Sequence, residues 1–227
     1  MKKKYEILKN STYEFNCKIL YRIVAIRNFG NVKRGELGGF VESEKNLSQR
    51  GTCWIHDDAK VCDNAKVYDN ANIYNDVLVK DNAKVYGNAK ISNGVLLANN
   101  VRVYDNANIY GLGLITQNSK IYGNSTVIDS MIFEDSKIFG NAYINGLCSV
   151  TISGKSRVYD NAKINGGTEI IDSDIYENTE IYNGYIIKKC NIRGYTQLKD
   201  LNKMLINTNI INNNQYKKGI DGRFIYI

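Results

Sequence analysis

Through the middle of the chain an aliphatic residue recurs every six positions, at Val61, Val67, Ile73, Val79, Val85, Ile91, Leu97, Val103 and Ile109. Most are followed four places later by a small residue, as at Ala65, Ala71, Ala83, Ala89 and Ala107, with polar residues between. The unit reads x–[V/I/L]–x–[D/G/N]–[N/D]–[A/S/V], and LVKDNA at 78–83 and NIYNDV at 72–77 are weaker copies of it. A longer repeat contains this one. KVYDNA at 66–71 returns eighteen residues on as KVYGNA at 84–89, then as RVYDNA at 102–107 and KIYGNS at 120–125. With small shifts it returns again as KIFGNA at 137–142, RVYDNA at 157–162 and DIYENT at 174–179. Six nested in eighteen predicts a three-sided coil, one short strand and one turn per side. The aliphatic residue points inward, and strand alternation throws its two neighbours outward. The small residue faces inward at the corner, and the Asn or Asp just before it suits the backbone angles of a tight turn.

Regular coils begin near Gly51 and run to about Ile192, so the solenoid is placed at 47–194. Residues 1–46 do not repeat. YEILKN, CKILYRIVAI and GGFVES read as short strands separated by turns, forming a cap over the first coil. From 195 to 227 the repeat fades into a second cap, in which TQLKDLNKML reads as a short helix and LINTNIINNN and GRFIYI as closing strands. An open coil end exposes apolar residues and unpaired backbone, so both caps are physically required. The repeat is irregular in three places. Val127 to Ile132 and Ile170 to Ile175 are each five residues, and two extra residues fall in SVTISGKS at 149–156. These read as local bulges. About eight coils at the strand spacing give a length of roughly 35–40 Å.

The grammar resembles the hexapeptide repeat of left-handed parallel β-helix proteins, and VCDNA, VYDNA and VKDNA fit it directly. The resemblance covers about 51–192 and implies an all-β, left-handed, three-sided parallel β-helix. It says little of function, because that fold serves enzymes, scaffolds and binding proteins. A narrower resemblance lies in 22–59. VAIRNF, the GG-[FW]-V turn at 38–41 and LSQ-x-G-x-CWI at 47–55 look like the leading segment of a poorly characterised group of bacterial, prophage and phage β-helix proteins. That likeness implies a cytoplasmic protein carried on mobile elements, with no catalytic residues to transfer.

Composition adds some limits. The five Cys, at 17, 53, 62, 148 and 190, include no CxxC pair, so neither a disulfide framework nor a zinc knuckle is expected. Buried reduced thiols fit better. MKKKYEILKN is basic without an apolar core, unlike a signal peptide, and no run approaches the roughly 20 apolar residues of a membrane span. The net charge of +7 is unevenly placed: +6 on 1–50, −5 on 51–187 and +6 on 188–227. Basic ends keep coils from stacking end to end, or approach a polyanion.

Candidate chemistry is sparse. Hexapeptide-repeat acyltransferases use a His as general base, and the single candidate is His56, beside Asp57 and Asp58. The acceptor pocket of those enzymes also needs a protruding loop, and no long loop interrupts these coils. Zinc-dependent carbonic anhydrase chemistry needs three His ligands, against one His in the chain. Asp57, Asp58, Asp63 and Asp81 are near in sequence, but each sits where the repeat wants a turn residue. The P-loop, nucleophile-elbow and EF-hand signatures are missing from the sequence. No cofactor is expected.

Two outward rows carry the strongest surface signal. Before the inward aliphatic stand Lys66, Lys84, Arg102, Lys120, Lys137 and Arg157; after it stand Tyr68, Tyr86, Tyr104, Tyr122, Phe139, Tyr159 and Tyr176. At about 4.8 Å per coil each row is a stack. Cations beside aromatics suit single-stranded nucleic acid, while tyrosine ladders also stabilise sheets by themselves and Asp69, Asp105 and Asp160 lie near the cations. Rows of Asp on the acidic body are a contrary possibility, imitation of a phosphate backbone, at a charge density well below a duplex. The leading expectation is a non-enzymatic binding protein, in its concrete form an inhibitor of a host defence nuclease or nucleoprotein of the anti-CRISPR kind. The partner would be protein or nucleoprotein, or single-stranded nucleic acid, held by the Lys/Arg–Tyr ladder. An acyltransferase using His56, and a self-assembling homo-oligomeric module, are the alternatives.

Overall fold

The computed structural model describes residues 2–182, 184–199, 203–218 and 224–226. All regular elements among them are strands. The chain divides into two compact units, Met1–Thr116 and Gln117–Ile227. Each is a parallel β-solenoid that advances about 18 residues per coil, and together they hold about nine coils.

The first unit opens on three antiparallel strands, β1 (Tyr5–Phe15), β2 (Lys18–Ala25) and β3 (Leu37–Val41). The far side of β3 pairs in parallel with the first coil, Phe40 beside Lys60 and Val41 beside Val61. The cap therefore hands its hydrogen bonding directly to the solenoid. The GGFV motif makes this possible. A Cβ on Gly39 would stand 2.3 Å from the carbonyl oxygen of Ala59, so only a glycine lets the strands meet. Trp54 is fully buried beneath the cap, edge-on to Tyr5 at 6.1 Å and to Phe29 at 5.3 Å. Lys4 is buried with it. Its amine donates to the carbonyls of Arg50 (3.2 Å), Gly51 (3.3 Å) and Cys53 (2.8 Å), closing backbone acceptors that have no strand to meet.

Beyond the cap, strands of two or three residues stack in three parallel rows. One row runs Trp54–Ile55, Asn72–Ile73, Lys90–Ser92 and Asn108–Tyr110. A second runs Lys60–Val61, Leu78–Val79, Leu96–Leu97 and Leu114–Ile115. The third runs Lys66–Val67, Lys84–Val85 and Arg102–Val103. Aliphatic residues expected inward are buried, as are the corner alanines. The corners differ in one respect from expectation. The left-handed residue is not the one before the alanine but the one before that, at Asp63 (φ 58°), Asp69 (57°), Asp81 (59°) and Asp105 (57°). Asp, Asn and Gly tolerate that region best, which explains the fourth place of the repeat.

In the second unit one row runs Lys120–Ile121, Lys137–Ile138, Arg157–Val158, Asp174–Ile175, Asn191–Arg193 and Thr208–Ile211, paired in parallel throughout. Serine replaces alanine at several inward corners. Ser125, Ser156 and Ser173 are buried and donate to the carbonyls of Tyr122 (2.9 Å), Ser153 (2.6 Å) and Ile171 (2.7 Å). Thr126–Ile132 pairs with Tyr143–Ser153 with a register break, Ile128 facing Asn145 and Ser130 facing Val150. The extra residues thus bulge at 146–149 rather than at 149–156, leaving Leu147 75% exposed. The segment read as a helix, 196–205, is strand on both sides, Gln197–Leu198 and Met204–Ile206, while 200–202 lie outside the described residues. Parallel pairing to the preceding coil, through Ile181–Leu198 and Ile187–Leu205, overrides the local helical pattern. Asn214–Lys218 then adds antiparallel to Thr208–Ile211, and Phe224–Tyr226 antiparallel to Asn214–Lys218.

Candidate macromolecule-binding ladder

The two outward rows form as registered stacks. In the first unit Lys66, Lys84 and Arg102 are direct neighbours along the third row of strands. Beside them Tyr68 stacks on Tyr86 at 4.8 Å and Tyr86 on Tyr104 at 4.9 Å, with rings within 5° of parallel. In the second unit Lys120, Lys137 and Arg157 are neighbours, and the column Tyr122–Phe139–Tyr159–Tyr176 stacks at 4.9, 4.7 and 4.8 Å. Such spacing is the coil pitch itself, so the fold sets the stacking. Each internal ring has both faces covered by its neighbours, which leaves only its edge for contact. Burial raises the pKa of Tyr68, Tyr86 and Tyr159.

Among the described residues, Arg157 is the one member of the cation row in an ion pair, a two-pronged contact with Asp174 on the next coil. The turn aspartates near the row are engaged elsewhere. Asp69 accepts the backbone N–H of Gly87 (3.3 Å) and Asp160 that of Glu177 (3.3 Å), each one coil on. Asp63 and Asp81 do the same for Asp81 (3.1 Å) and Asn99 (2.8 Å). A carboxylate at a left-handed corner therefore caps the equivalent corner of its neighbour.

Asparagine ladders line two of the three corners, and reading the sequence for charge and rings overlooked them. Asn64, Asn82 and Asn100 pass side-chain hydrogen bonds at 3.3 Å, and Asn70, Asn88 and Asn106 at 3.1 and 3.0 Å. Asn124, Asn141, Asn161 and Asn178 form another at 3.2, 3.0 and 3.1 Å. The signal was present as the fifth place of the repeat.

His56 stands in a ladder of its own. Its ring stacks on Tyr74 at 4.2 Å and 11°, and Nε2 meets Asn72 Oδ1 at 3.1 Å. Asp58 pairs with Arg22 at 2.8 Å and Asp57 accepts the N–H of Asn75 at 3.3 Å. Asp63 is held by Lys18, whose hydrogen bond lowers its pKa. Asp57, Asp58, Asp63 and Asp81, near one another in sequence, are thus committed to separate partners. Cys53, Cys62 and Cys190 are buried free thiols, and burial pushes Cys62 up to about 12. Cys17 departs from that expectation, exposed at the β1–β2 turn with φ 60°. Among the described residues no group of three or more His, Cys, Asp or Glu is placed to hold a metal ion, and no helix is long and apolar enough to cross a membrane.

The fold and these rows define a parallel β-solenoid with laddered faces. No protein-family model matches the chain, and no curated protein matches it.

Proposed function

We propose that this is a non-enzymatic binding protein whose laddered faces hold a macromolecular partner, a protein or nucleoprotein. In its concrete form it is an inhibitor of a host defence nuclease, of the anti-CRISPR kind. The observation that carries the reading is the registered cation row beside a self-stacked aromatic column. Five of its six cations form no ion pair among the described residues. The stacked rings are already fixed by their neighbours, so that part of the surface loses little conformational entropy when a partner docks. The likeness of residues 22–59 to phage and prophage β-helix proteins supports the nuclease-inhibitor version.

The test is affinity capture of partners by the tagged, purified protein from a bacterial lysate, with and without added nuclease, reading protein and nucleic acid together. A stoichiometric nuclease or nucleoprotein is the expected result. Capture of nothing, together with a thermal shift by an acyl-coenzyme A, would move the reading to an acyltransferase based on His56.

A further inference from the structure

The second unit carries a groove of about 720 Å³ along one corner. Lys120, Lys137 and Arg157 line one side of it, and Asp135, Lys155, Asp172 and Lys189 line the other. This corner departs from the pattern it keeps in the first unit. In the first unit the equivalent place of the repeat is the Asn64–Asn82–Asn100 ladder. Here the ladder stops after one amide, Asn118, which donates to Asp135 at 3.0 Å. Lys155 then stands in the asparagine place. From the next coil the turn shrinks to a single left-handed residue, Asp172 (φ 49°), Lys189 (52°) and Asn207 (50°) in turn. Lysine has no advantage over asparagine or glycine in that conformation. Stability of the coil therefore does not account for Lys189, and the lost amide contacts do not account for Lys155.

The charges are arranged with a bias. Asp174 is tied to Arg157, Asp172 accepts the backbone N–H of Lys155 at 3.0 Å, and Asp135 takes Asn118. Among the described residues no carboxylate lies within 4.0 Å of the ammonium of Lys120, Lys137, Lys155 or Lys189. The carboxylates are satisfied and four ammoniums are left facing the groove. Its lining has no aromatic or large aliphatic anchor of the kind that dominates protein–protein contacts. The neighbouring aromatic column cannot seat bases, because its ring faces are covered by one another.

We infer that this groove holds the phosphate backbone of a single nucleic-acid strand and does not read its bases. The inference deepens the binding role proposed above and rests on it. Charge alone then supplies the affinity, so binding is sequence-independent and falls steeply with salt. Four phosphates met by the four free lysines give a slope of log K against log salt near −3, at about −0.7 per phosphate.

Fluorescence anisotropy of the full-length protein with labelled oligo-dT and oligo-U of about ten nucleotides tests it. The decisive variant is Lys155→Asn/Lys189→Asn, which restores the residue type the corners favour and so leaves the melting temperature unchanged or higher. Lys80→Asn/Lys90→Asn removes the same charge from the first unit as a control. The expected result is binding of both strands by the native protein, a slope shallower by about 0.7 for each groove lysine removed, and little change in the control. Asp135→Asn should tighten binding. No binding at low salt, or equal loss in both double variants, would overturn the inference. Binding of poly-glutamate in place of the strands, with the same lysine dependence, would assign the groove to an acidic protein instead. If neither strand binds while the native protein still captures its partner after nuclease treatment, the binding role stands and the groove inference fails.

Discussion

At the scale of single residues, the inward corner shows how narrowly hydrogen bonding decides between serine and alanine. Ser173 Oγ donates to Ile171 O and accepts the N–H of Cys190 at 2.9 Å, whereas the buried hydroxyl of Ser136 has no partner among the described residues. Ser173→Ala should therefore destabilise the protein by about 1 kcal/mol, and Ser136→Ala should be neutral or stabilising by a similar amount. Urea midpoints of the two variants check this, and equal effects would refute it. Tyrosine ionisation gives a second prediction. Burial raises the pKa of Tyr5, Tyr68, Tyr86 and Tyr159 above the unfolded value near 10. Their contribution is complete below about pH 10 and is lost as pH rises through the folded values. Lys4 opposes this, since burial lowers its pKa and its penalty fades as pH climbs toward about 10.4. Stability should fall above about pH 10, and Tyr5→Phe should flatten the fall; a stability profile that keeps rising through that range would show the tyrosines do not control it. Much at this scale was legible in advance. The inward places follow from period alone, because one residue in six must fill the interior. The left-handed place was misassigned by one because Asp and Asn occupy both turn positions, and composition cannot tell a residue that bends from one that hydrogen-bonds its copy on the next coil.

At the scale of elements, the N-terminal strands are the seal of the first coil. Trp54 is fully buried, with Tyr5 and Phe29 edge-on against it and the Lys4 ammonium over the Phe29 ring. Trp54→Ala should cost about 3–5 kcal/mol, and the loss should appear first as protease sensitivity in residues 1–46. Gly39→Ala should be comparably damaging despite adding one methyl, because the Cβ would meet the backbone of Ala59. A melting temperature unchanged by either would mean the cap is not sealed by this contact. GGFV and CWI drew attention in the sequence, yet the reason lies in contacts between segments distant in sequence, Gly39 with Ala59 and Tyr5 and Phe29 with Trp54, which no local pattern encodes. The same limit explains the misread segment 196–205. TQLKDLNKML has helical spacing, but the exposed edge of the preceding coil offers parallel strand pairing to whatever follows it.

At the scale of the whole molecule, the rows that make the coils stable are the same rows that present charge and aromatic edges to solvent. Their positions were visible from the sequence because a repeat of eighteen necessarily aligns copies. What stayed hidden was which members are already engaged: Arg157 is held by Asp174, and the turn aspartates serve backbone N–H groups. Lys155 and Lys189 were passed over because they fall outside the place that the cation row occupies. The most direct test of the binding role is quantitative. Titrate the captured nuclease or nucleoprotein with the native protein and with Lys84→Glu/Arg102→Glu/Lys120→Glu, after circular dichroism has confirmed that the variant folds. The account predicts at least a tenfold rise in Kd, about 1.4 kcal/mol, with loss of inhibition in parallel. Unchanged affinity and unchanged biological effect in a folded triple variant would contradict it, and would leave the ladders as a device of stability alone.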